Sequence, residues 1–217
     1  MDFRIKNSRK AHKIRKIITN NIASNKREYI IITVLFLIGL LAGVLFVNNI
    51  KEDQFSNISQ YINNFVESYK NVENIDTLNV LKESISNNIG AALIICFFGT
   101  TVIGLPVVFG AIIYRGFCLG YTISSCISVL GIGRGLAFIL SDLLLQNLIF
   151  IPAIIAIAVS GFKLYKSIIK DKRRENIKLE IMRHLVFSLV MAIVIVIASL
   201  VEIFISNNIL KLVVKYF

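Results

Sequence analysis

The chain has no tryptophan, two prolines and only three cysteines among its 217 residues. An odd and small number of cysteines excludes a disulfide-stapled secreted domain. Cys96, Cys118 and Cys126 all lie in apolar runs, where cysteine serves as a small packing residue. Charge is scarce as well: 17% of residues are Asp, Glu, Lys or Arg, against about 25% in soluble domains. The acidic sign is the rarer one, with 13 Asp and Glu against 24 Lys and Arg. Catalytic signatures are also missing. The sequence holds no Walker loop, no HExxH zinc pair, no GxSxG nucleophile turn and no CxxC. His12 and His184 lie in basic segments, where a solvated or interfacial imidazole is expected rather than a ligand. Neither an enzyme nor a metal or cofactor site is therefore expected.

What the chain has is apolarity, 56% of its residues, at a mean hydropathy of +0.74. The apolar residues are gathered into runs long enough to cross about 30 Å of hydrocarbon as helices. The expected fold is all-α, a polytopic membrane protein with about five transmembrane helices. Residues 1–28 form a basic cytoplasmic segment and 29–47 the first span. Residues 48–88 are polar and acidic. Residues 89–161 hold spans two to four: 89–114, interrupted by Gly104 and Pro106, then a short 116–130 after Arg115, then 136–160 after a glycine-rich turn around Arg134; a single re-entrant hairpin over 89–130 is the alternative for the second and third spans. Residues 162–184 are basic again, 185–205 form the fifth span, and 206–217 make an extracytoplasmic tail. Lys and Arg set the orientation. With the N-terminus inside, eighteen of them, Arg115 included, fall on the cytoplasmic side and six outside. Basic blocks beside apolar spans mark membrane orientation and lipid contact rather than nucleic acid.

Within 48–88, Phe55, Ile58, Ile62, Phe65, Tyr69 and Val72 recur at alternating spacings of three and four, a helical stripe. This predicts an extracytoplasmic amphipathic helix whose seam must be buried on the bilayer, on its own chain or on a partner. Its polar face lacks the Lys and Arg of surface-bound helices, which favours a protein contact. Asp142, Gln146 and Asn147 are polar residues within the fourth span. Such groups either line a path or fix the bundle by interhelical hydrogen bonds, the latter being the commoner use. Gly39 and Gly43 form a GxxxG in the first span, and Gly116, Gly120 and Ser124 extend the same spacing in the third. Either face serves close packing within the chain or a homodimer.

Four stretches carry a family resemblance: VIGLPVVF at 102–109, RGFCLGYTI at 115–123, LLQNLIFIPA at 144–153 and SLVEIF at 199–204. With the order of the spans, they make the chain similar to stage II sporulation protein M of endospore-forming Firmicutes. Family members carry a proline before the Gln-Asn pair, where this chain has Leu145. The resemblance implies a non-enzymatic membrane scaffold of forespore engulfment at the septum. It implies as partners the stage II cell-wall hydrolases, proteins D (a lytic transglycosylase) and P (an amidase and endopeptidase), which remodel septal peptidoglycan. The competing expectation is an ABC-2-like transport subunit. In that reading Asp142, Gln146 and Asn147 line a path and 162–184 meets an ATPase, an analogy at the level of fold.

Overall fold

Hydrocarbon offers a peptide group no hydrogen bond, so a chain this apolar must satisfy its backbone internally, and a helix does so within one segment. The computed structural model describes residues 23, 25–71, 77–141, 143–170, 177–201 and 213. Every regular element among them is helical: α1 Lys26–Asn48, α2 Glu52–Asn71, α3 Thr77–Gly99, α4 Leu105–Ser141, α5 Leu143–Lys170 and α6 Ile177–Val201. Four of these helices, α1, α4, α5 and α6, are long and apolar enough to cross a membrane. The burial pattern fits a lipid solvent. Leu41, Leu45, Phe97, Leu148, Leu189 and Ile193 face outward, whereas Asn88, Ser141, His184 and Ser199 are buried.

The bundle is built around α5. Its residues Ala153 to Val159 are all buried, and it packs against α1, α3, α4 and α6. Ile32, Ile95, Ile112, Ile154, Ile157 and Ile195, one or two from each of five helices, close the core. Lys166 on α5 clamps Glu28 on α1 at 2.6 Å and also lies over the Phe162 ring.

The expected second span, 89–114, is instead two helices. α3 runs unbroken to Gly99, the chain reverses over 100–104, and α4 begins at Leu105. Side chains finish the turn: Thr100 and Thr101 hydroxyls donate to the carbonyls of Phe97 and Phe98, and the Gly104 amide donates to Thr101 Oγ1. Pro106 then falls in the first turn of α4, where a missing N–H costs nothing. Arg115 accordingly does not end a span. It sits ten residues into a continuous helix. The reversal is an Ser/Thr-type cap, which is harder to see in a sequence than a lone arginine.

The glycine-rich turn around Arg134 is present. α4 breaks at Gly131, with φ 81° and ψ 164°, a region open essentially to glycine alone. Beyond it, residues 132–141 fold back along the first arm. Gly135 lies so close to the Cys126 carbonyl and Ile127 Cα that a Cβ would stand 2.7–2.8 Å from them. α5 resumes the same descent, since Ile139 and Asn147 line one groove with Leu119 and Ile123. α2 lies across the Gly131 end of this hairpin, opened by Glu52 and Asp53, which suit the positive end of a helix.

Candidate functional site

Among the described residues, chemistry-bearing side chains gather on the platform made by α2 on α4, in a polar centre between α3, α4, α5 and α6, and around His184.

On the platform, Ile62 and Val66 are buried at 8% and 7% exposure against Cys126, Phe138 and Ile139. Phe65 meets Phe138 edge to face at 5.9 Å, and Ile58 packs beside them. Phe55 is half-buried at the start of the helix, in a shallow groove with Val47 and Ile50. Tyr69 lies in the last turn of α2, its side chain outside the described residues, as is Val72. Of the three covers foreseen for the seam, the chain's own α4 supplies one for its central part. Val66 was missed by the stripe, although it stands four residues after Ile62. The opposite face remains open: Asn57, Gln60, Asn64 and Glu67 are exposed, and Tyr61, 72% exposed, stands between that face and the seam. A cavity of about 460 Å³ opens between Tyr61 on α2 and Tyr121 on α4.

The two glycine motifs prove to be the two halves of one interface. A Cβ on Gly39 or Gly43 would enter the carbonyls of Ile113 and Phe117, and one on Gly116 or Gly120 those of Phe36 and Leu40. Residue numbers rise together along the contact, so α1 and the first arm of α4 are parallel. Phe117 stacks on Tyr121 at the far end of this contact, and Phe46 meets Phe117 edge to face. The glycine face of α1 is thus occupied within the chain.

The polar centre is made of residues that the sequence reading did not group. Arg115 Nη2 donates to Asn88 Oδ1 at 2.7 Å, and Asn88 Nδ2 donates to Ser199 Oγ at 3.2 Å. The Arg115 guanidinium lies 4.5 Å over the Phe150 ring. Burying an arginine in a membrane bundle is expensive, and an amide, a hydroxyl and an aromatic face offset the lost hydration. Its Nε is buried without a hydrogen-bond partner among the described residues. The available signal was the helix itself: read from Pro106 onward, Arg115 is central rather than terminal. Asp142 lies outside the described residues, and Gln146 is on α5 with its side chain outside them. Asn147 is half-buried beside Pro152 in an apolar groove of about 330 Å³.

His184 is not solvated as expected, but buried at 2% exposure. Its Nε2 is 3.2 Å from the Cys96 carbonyl and its Nδ1 is 2.9 Å from Ser160 Oγ. A carbonyl only accepts, so Nε2 carries the proton in the neutral ring and Nδ1 accepts from the serine. Gly99 and Gly161 approach here closely enough to admit the ring. Among the described residues no group of His, Cys, Asp and Glu is placed to hold a metal ion.

A family model described as Stage II sporulation protein M matches residues 32–207. The chain belongs to the stage II sporulation protein M family. No curated protein and no solved structure matches it. Membership makes it a sporulation membrane protein, from a family not known for enzymes. Three of the four stretches that resemble the family converge in space. RGFCLGYTI supplies Arg115 and the glycines Gly116 and Gly120, LLQNLIFIPA supplies Phe150, and SLVEIF supplies Ser199.

Proposed function

We propose that this chain is a non-enzymatic membrane platform of forespore engulfment. It holds the stage II hydrolases D and P, a lytic transglycosylase and an amidase and endopeptidase, against septal peptidoglycan from the mother-cell membrane. One observation carries the reading: α2 is fastened to the α4 hairpin by Ile62, Val66 and Phe65, leaving a polar face, flanked by Tyr61, for a partner. In this reading α1, α3, α4 to Gly131, the stretch from 132 through α5, and α6 make five crossings. The N-terminus lies inside and α2 outside. The parallel pairing of α1 with α4 supports that topology, because α3 must then return the chain between them. Without Arg115, the charge bias is seventeen Lys and Arg inside against six outside.

The test is capture of the two hydrolases from detergent extracts of sporulating cells. Tyr61→Arg with Glu67→Lys changes the open face and leaves the seam intact. The expected result is loss of most of the captured hydrolase with unchanged membrane insertion. Undiminished capture by this double variant would show that partners dock elsewhere.

A further inference from the structure

At the end of the bundle marked by the Lys166–Glu28 pair, α1, α5 and α6 part to leave a cavity of about 230 Å³. Asn25 and Tyr29 line it from α1, Ser160 and Lys163 from α5, and Glu180, Arg183 and His184 from α6. Lys163 and Arg183 are exposed at its rim, while Ala156, Val159 and Phe187 form an apolar wall. We propose that this cavity is a headgroup site for an anionic phospholipid of the inner leaflet, of the phosphatidylglycerol type.

Two features choose the occupant. Two cations at the rim of a pocket between membrane helices match a phosphodiester. The apolar wall gives the glycerol backbone and the first acyl carbons a surface, which a soluble anion does not need. The neighbouring segment 1–24 cannot supply the counter-charge: it carries seven Lys and Arg against one Asp. The site depends on the chain being embedded in a bilayer and is independent of partner docking on α2.

The experiment uses the purified full-length chain in detergent and counts bound lipid by native mass spectrometry. Phosphatidylglycerol and phosphatidylcholine are the probes, with inorganic phosphate as competitor. Lys163→Gln with Arg183→Gln is compared with Lys26→Gln and Lys178→Gln, which removes two exposed cations outside the lining. The wild type is expected to retain phosphatidylglycerol over phosphatidylcholine, and phosphate is expected not to displace it. The rim variant is expected to bind phosphatidylglycerol roughly tenfold more weakly, with the control pair within about twofold of wild type. Equal losses in both pairs would reduce the effect to diffuse attraction and overturn the site. So would equal retention of phosphatidylcholine. Full displacement by phosphate would overturn the lipid assignment.

Discussion

Arg115 and Asn88 depend on each other. The guanidinium has the amide oxygen as its hydrogen-bond acceptor, and the amide nitrogen in turn reaches Ser199. Asn88→Leu therefore strands a half-buried cation and is expected to destabilise the bundle by roughly 1–3 kcal/mol. Arg115→Leu combined with Asn88→Leu removes both partners and is expected to recover much of that loss. Unfolding in mixed micelles measures the cycle, and additive effects of the two substitutions would show that the residues are not coupled. At the same scale, Gly116→Val drives a branched side chain into the Phe36 carbonyl. Overpacking of this kind costs about 1–3 kcal/mol, more where backbone must move, as it must here. The measurement is the midpoint of the same unfolding titration. The glycine pairs were visible in the sequence. What they pair with was not, because a GxxxG face reads the same whether its partner is within the chain or on another copy.

Among the elements, α2 and the α4 hairpin stand or fall together. Gly131→Ala forces a residue with a Cβ into a conformation essentially reserved for glycine and is expected to weaken the hairpin by roughly 1–3 kcal/mol. Val66→Asp buries a carboxylate against Cys126 and Phe138 and is expected to free α2 from its bed. In inside-out and right-side-out vesicles, limited proteolysis within 52–71 would report the release, while the fraction of protein in the membrane stays constant. Protection equal to wild type would mean that α2 is held by something other than this cluster. The seam of α2 was legible because its spacing is regular. The limits of α3 and α4 were not. The stretch 89–114 is apolar on both sides of the reversal, and Gly104 and Pro106 read equally as a kink within one span; the threonine hydroxyls that close the turn carry no distinct pattern.

For the whole molecule, the measurable statement is topology. On a background with Cys96, Cys118 and Cys126 replaced by alanine, Ser56→Cys on exposed α2 is expected to react with an impermeant maleimide in intact cells. Lys178→Cys is expected to react only after permeabilisation. Reaction of both from the same side would remove the five-crossing reading. The helical class and membrane character were legible from hydropathy alone, since four helices are long and apolar enough to span. α3 is the element that composition hides. Lys82, Glu83, Asn87 and Asn88 lower its apolarity, yet it packs on α4, α5 and α6 like the others.

The clasp between Glu28 and Lys166 joins residues 138 positions apart. A chain made from its N-terminus inserts α1 early, but the carboxylate at its base has no lysine to meet until α5 has been synthesised. The glycine face of α1 waits as well, for residues 113–121 of α4. Biogenesis therefore has an order written into it. The first helix is delivered to the membrane as an open jaw, α2 and α3 are laid past it, and the jaw closes only when most of the protein exists. Chains truncated ahead of α4 should present that bare glycine face to whatever quality-control machinery surveys the bilayer.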